Sequence, residues 1–337
     1  MQHPGLWFED GDLVLVANTA CAQPISFLIH RCTFCKSPVF RRILLTNDFN
    51  FHPIYKDAIV WEVTDPAADV AVLLQCLYYD LPFNHAEPTV TVDLGGLLRL
   101  CKKYEFAEIT ARIIAQLKHE WPTSLAIWDI HETRIRTLSI AHAGAPDGQI
   151  DAQYLDNRLP EPASIIALAR EFALPELFPA AFYALALVSS SANYDAFHAD
   201  FLPESERQQL ANGTRSARWP LLTPPDLLRL AKGHDRMRSQ KSLTRALASS
   251  QRPQTKDCAA GCTSLLTALR ELGDHTHDIL GALTYLRLYI SEPGQASRMK
   301  ICAGCAKALC DASAALRLQI WRSLPEWFDL TGVELTA

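Results

Sequence analysis

Four cysteines late in the chain are the residues best placed for chemistry. Cys258 and Cys262 lie in "CAAGC", and Cys302 and Cys305 open "CAGCAKALC". A Cys-x3-Cys pair joined at a distance to a Cys-x2-Cys pair supplies four thiolates, the number that closes a tetrahedral structural zinc site. Four thiolates leave no position for water, so such a site staples a fold and does not catalyse. His275 and His277 in "GDHTHD" stand between the pairs as alternative ligands, and the segment between the pairs is longer than in a zinc ribbon. The competing reading needs no metal: Cys258 and Cys262 line a helix, and Cys302 and Cys305 face them as buried thiols.

A second set sits in "FLIHRCTFCKSPVFRRILL", where His30 precedes Cys32-x-x-Cys35. A redox pair of this spacing belongs at the start of a helix in a thioredoxin-like βαβ unit, and no such unit is visible. Metal binding and redox chemistry stay open beside the reading as core or semi-buried thiols. No nucleophile elbow, P-loop or dinucleotide fingerprint occurs, which points away from an enzyme. The basic runs "GTRSARW" and "KGHDRMRSQKSLTR" read as solvated helix faces.

Composition narrows the class. The chain has 337 residues, 49% of them apolar, enough to bury a sizeable core in about two domains. A formal net charge of -5 and a pI near 6.1 lack the basic field of a general nucleic-acid binder. The most apolar window, "LFPAAFYALALV", is about half the length of a membrane-spanning helix. The start "MQHPGLWFEDGD" has no signal-peptide pattern. These features predict an intracellular protein of the cytoplasm or nucleus, in which the ten cysteines serve as thiols or metal ligands.

The elements follow from periodicity. "DLVLVA" and "ISFLIH" alternate as strands around the turn "NTACAQP", a hairpin. Ser37 caps a helix that opens on Pro38. "AIVWEV" predicts a third strand, and Thr64-Asp65-Pro66 starts a helix with Val70, Leu73, Leu74, Leu77 and Tyr78 on one face. "EPTVTVD" reads as a short strand, with Asp93 capping the helix of Leu94, Leu97, Leu98 and Cys101. Phe106, Ile109, Ile113 and Leu117 mark the next helix. Residues 134–162 are turn-rich. Beyond them, "IIALAREFALPELFPAAFYAL" echoes "LLRLCKKYEFAEITARIIAQL" at constant offset, and "LLRLAKG" begins a shorter copy. True repetition and the general likeness of helical hairpins are both open.

These N-terminal motifs together resemble a BTB/POZ domain, in particular the large fungal group of BTB/POZ-domain proteins. Asp12 before the first strand, Phe27-x-x-His30, Ser37-Pro38-Val39-Phe40, the helix ending in Tyr78-Tyr79-Asp80, and "LRLCKKYE" carry the resemblance. Later stretches such as "HEWPTSLAIWD" and "LQIWRSLPEWFDL" are similar to the C-terminal extension of that group. The resemblance implies an α+β BTB/POZ domain over 7–120, a small three-stranded sheet wrapped by helices. A connector over 121–162 and a mainly helical C-terminal domain over 163–337 follow, the latter stapled by zinc if the four late cysteines bind metal and not if they pack as thiols. It implies protein–protein contact, self-association or docking to the cullin of a ubiquitin ligase, with no cofactor required. Asp12, Phe27, His30, Ser37, Phe40 and Tyr78 are then fold residues, and His30 packs and hydrogen-bonds to backbone at the strand-to-helix corner. The segment "YDLPFNHAEPTV" lacks the hydrophobic-x-Glu element of many cullin binders. With the first strand near residue 12, an N-terminal strand that swaps between partners is not expected. Leu81, Phe83, Trp321 and Trp327 are the candidate partner contacts, with core packing the alternative for the two tryptophans.

Overall fold

In a computed structural model the chain is described over residues 1–19, 21–46, 54–79, 91–199, 201–238, 247–253 and 255–331. It divides into two units, Met1–Glu120 and Trp121–Ala337.

The first unit is built on a five-stranded sheet. Its strands are β1 (Gln2–Trp7), β2 (Leu13–Asn18), β3 (Pro24–Ile29), β4 (Ile54–Tyr55) and β5 (Ala58–Pro66). The spatial order is β1-β3-β2-β5-β4. The expected hairpin is present: β2 and β3 pair antiparallel, with Leu13 opposite Ile29 and Leu15 opposite Phe27. β5, the expected third strand, pairs parallel to β2. Parallel neighbours need a crossover, and helices α1 (Arg31–Phe34) and α2 (Pro38–Thr46) lie in it. Two strands exceed the three-stranded expectation. β1 runs parallel to β3, and β4 pairs with β5.

Helices α3 (Ala67–Tyr79), α4 (Thr91–Lys103) and α5 (Ala107–Glu120) complete this unit. Their predicted stripes are the buried ones: Val70, Leu73 and Leu74, then Leu94, Leu97, Leu98 and Cys101, then Phe106, Ile109, Ile113 and Leu117. Thr91–Asp93, read as the end of a strand, form the first turn of α4. The rest of that expected strand lies outside the described residues.

The second unit is helical. After Ser124, whose side chain accepts from the Ile127 amide, α6 (Leu125–Ala143) runs into the region read as a connector. Residues 121–162 therefore belong to the second unit and carry a five-turn helix. α7 (Pro162–Glu171), α8 (Phe178–Ala186), α9 (Tyr194–Phe197), α10 (Glu204–Ala211) and α11 (Pro224–Arg238) follow. α12 (Lys256–Thr276), α13 (Ile279–Ser291), α14 (Gln295–Arg298) and α15 (Ala303–Trp327) close the unit. Buried Arg317 of α15 anchors it. Its guanidinium reaches Asp129 at 2.5 Å and Glu132 at 3.0 Å on α6 and donates to the Leu280 carbonyl of α13 at 3.3 Å. Burial pushes the Glu132 carboxyl up, aided by Asp278, while Arg317 pulls it down.

The echo between the two hairpins has a physical basis. Glu105 and Ala173, equivalent in the aligned stretches, both adopt left-handed backbone, at φ 57° and 56°. The amides of Phe106 and Leu174 both reach back to carbonyls five residues earlier, at 2.9 Å. This is the αL helix stop with its 6→1 bond. The same stop recurs at Lys300 and Asp329, so it marks how these helices end and does not by itself establish duplication.

Candidate metal centre and contact surfaces

Helix α12 places Cys258 and Cys262 one turn apart on its inner face, both buried. The opposing pair arrives on a tight turn. α14 ends at Met299, Lys300 takes φ 59°, and the Ile301 amide returns to the Ala296 carbonyl at 2.8 Å. The chain then enters α15 with Cys302 as its N-cap. This turn lies hard against α12 at Gly261. A Cβ there would sit 2.0 Å from the Met299 carbonyl oxygen and 3.3 Å from the Ile301 side chain, so glycine is required for the approach.

The result is a cluster of sulfurs. The Sγ atoms of Cys258, Cys302 and Cys305 all lie within 4.8 Å of one another. The Cys262 thiol contacts those of Cys258 and Cys305. Backbone amides point at the sulfurs: Cys302 N–H donates to Cys258 Sγ at 3.3 Å, and Cys305 N–H to Cys302 Sγ at 3.4 Å. A backbone N–H of Arg252 aims at Cys305. Burial pushes the Cys262 thiol up to about 12, with the neighbouring Cys258 and Cys305 adding to the shift. Burial also raises Cys305. Several buried sulfurs cannot ionise together unless a cation compensates them. A tetrahedral thiolate shell has sulfurs about 3.8 Å apart, given Zn–S bonds near 2.3 Å. The cluster can hold a metal ion, and Cys258, Cys302 and Cys305 are the residues that would do so.

The alternative ligands do not join it. His277 is exposed and lies beside His234, whose pKa falls through burial, Arg238 and the His277 charge. The side chain of His275 lies outside the described residues. Cys310 contacts Ser291 at 3.9 Å, away from the cluster.

The early Cys-x-x-Cys is different. Cys35 is half-buried, within the reading as core or semi-buried thiols, whereas Cys32 is exposed, which corrects that reading for it. His30 stands at the strand-to-helix corner, but its ring meets side chains where a bond to backbone was expected. Its amide donates to Tyr78 Oη at 2.8 Å, its Nδ1 lies 3.1 Å from the same oxygen, and its Nε2 is 3.2 Å from Asp10. Asp12 accepts the Arg31 amide at 2.7 Å and the Arg31 guanidinium at 2.8 Å. Burial raises the Asp12 carboxyl, but these Arg31 bonds and charge outweigh it and hold the pKa below the usual carboxylate value.

Ser37 caps α2 through the Phe40 amide at 3.1 Å and donates to the Tyr104 carbonyl. Phe40 stacks on Tyr104 with ring centroids 4.2 Å apart, and meets Phe34 and Trp61 edge-on. Phe27 is fully buried. All six resemblance-bearing residues thus join elements of the first unit.

Of the candidate partner contacts, Leu81 and Phe83 lie outside the described residues. Trp327 is buried and Trp321 packs on Trp128, centroids 5.5 Å apart, so neither is an exposed anchor. Sequence reading missed the cleft of about 220 Å³ between the end of α3 and the start of α5. Leu77, Tyr78 and Ile109 line it, with Lys36, Glu108 and Arg112 at its polar side. Its signal in the sequence was the end of the α3 stripe, Leu77 and Tyr78, which the structure leaves half-buried.

Comparison of the chain with protein-family models, curated proteins and solved structures finds no match. The family resemblance rests on the quoted motifs. Among the described residues, no helix is long and apolar enough to cross a membrane.

Proposed function

We propose that the chain is a non-enzymatic interaction protein with an N-terminal BTB/POZ-like docking unit and a helical unit stapled by structural zinc. In this reading the first unit docks the cullin of a ubiquitin ligase, and the helical unit recruits what the ligase modifies. The cleft at the α3–α5 junction carries the reading: it offers an apolar floor with charged walls, in a unit whose sheet contains the expected hairpin and third strand. All ten cysteines are free thiols, which fits a reducing intracellular compartment. Zinc would be held by Cys258, Cys302 and Cys305, with Cys262 of the same helix face as the fourth ligand, and would add folding energy without an open coordination position.

Sedimentation of the full chain with the N-terminal region of a cullin tests the docking. A one-to-one complex weakened by Glu108→Lys or Arg112→Glu, both exposed, supports it. No complex at any concentration rejects the adaptor reading. The second reading, a homo-oligomer without a cullin, is favoured by β1, an edge strand paired on one side only. Self-association in the same run without cullin binding would select it. Elemental analysis of the purified chain tests the zinc.

A further inference from the structure

The four thiols of the cluster are not equivalent. Cys258, Cys262 and Cys305 are each about 1% exposed, whereas Cys302 is partly open to solvent. Cys302 also caps the 25-residue helix α15, in the positive field of the helix start. Three residues on, Cys305 points its amide at the Cys302 sulfur from inside the cluster. An accessible sulfur at a helix start with a buried thiol behind it is the arrangement that favours attack on an oxidant followed by internal resolution.

We infer that Cys302 and Cys305 form an oxidisable dithiol, in which Cys302 is the site of attack by a hydroperoxide and Cys305 resolves it as a disulfide. The Cys302 sulfur attacks the terminal oxygen, an S–O bond forms, the O–O bond breaks, and the departing alkoxide takes a proton to leave as an alcohol. The Cys305 sulfur then attacks the sulfenic sulfur, an S–S bond forms, and the expelled hydroxide takes a proton and leaves as water. Two thiols and one hydroperoxide thus give one disulfide, one alcohol and one water. The inference deepens the zinc reading: with two of four sulfurs joined, the set that would hold a metal is broken, and the turn at 299–302 loses its tie to α12.

The test uses the full chain. Zinc content is measured first, then the chain is treated with tert-butyl hydroperoxide and its disulfides are mapped by mass spectrometry. Zinc release is followed with a chromogenic chelator. The expected result is a Cys302–Cys305 disulfide, loss of bound zinc in step with it, and return of both thiols and zinc binding after dithiothreitol. In Cys305→Ser, Cys302 should accumulate as a dimedone-trapped sulfenic acid. A Cys302–Cys305 disulfide in a chain that never carried zinc supports the dithiol and removes the zinc reading. A chain that holds its zinc and keeps Cys302 reduced, at a dose that oxidises exposed Cys21 and Cys32, overturns the inference and leaves the zinc reading standing.

Discussion

Gly261→Ala tests the metal centre at its narrowest point. An added Cβ would lie 2.0 Å from the Met299 carbonyl oxygen, where ordinary contact begins at 3.4 Å. The obstructing atom is backbone, held by the αL stop at Lys300 and the Ile301-to-Ala296 hydrogen bond, so no rotamer change relieves it. The turn and α12 must separate by more than an ångström. Overpacking of this kind costs about 1–3 kcal/mol, against roughly 1 kcal/mol gained from alanine in a helix. The separation also exceeds the tolerance of a metal site, about 0.2 Å in ligand distance. The variant should therefore bind zinc more weakly than the parent and unfold at lower denaturant. Competition with a zinc chelator and urea unfolding, each with and without EDTA, give the two quantities. A variant more stable than the parent by the helix-propensity gain, with unchanged zinc affinity, would refute the close approach of the turn and the geometry built on it.

Other expectations follow from single residues. Arg317→Ala removes one buried cation from Glu132 and leaves it Arg136 at 3.2 Å and Thr284 at 3.1 Å, so stability should fall, by less than the roughly 3–5 kcal/mol of an uncompensated buried charge. The Glu132 carboxyl, already raised by burial, should rise further once the cation is gone. Because the folded state then holds this proton more tightly than the unfolded chain, the variant should lose stability as pH rises from the unfolded carboxylate value through the folded one, measurable by urea unfolding across acid pH. Asp12→Asn should cost at most about 1 kcal/mol at neutral pH, because it removes the half-exposed ion pair with Arg31. The parent's Asp12 contribution is present above the unfolded carboxylate value and is lost as pH falls through its lowered folded value, so the difference between the two proteins should vanish at low pH. Ala173→Gly relieves a left-handed alanine at an exposed helix stop and should raise stability by about 0.5–1 kcal/mol in thermal unfolding. A loss there would mean that the Ala173 methyl packs.

The helix stripes were legible because periodicity reports burial directly: Leu94, Leu97, Leu98 and Cys101 are apolar at the spacing of one face, and that face is inside. The same holds for Leu13 opposite Ile29 in the hairpin. β1 was not legible. "QHPGLW" carries a proline and a glycine and does not alternate, and its strand state comes from backbone pairing with β3. The length of α6 was hidden because its exposed face carries Ile130 and Ile140, which blurs the stripe. Trp321 and Trp327 could anchor a partner or fill a core, and only the position of Trp128 against Trp321 and the burial of Trp327 decided between them.

For the candidate centre, sequence alone determined the donor set: four cysteines in two short-spaced pairs, whose chemistry is that of a soft, closed metal site. Tertiary structure decided the rest. It brought the pairs together across residues far apart in the chain, left His277 beside His234, and kept Cys302 open while the other three sulfurs were buried. The reason lies in one backbone approach. Spacing along the chain says which residues can share a turn, but the meeting of α12 with the turn at 299–302 depends on Gly261 lacking a side chain where the Met299 carbonyl must pass.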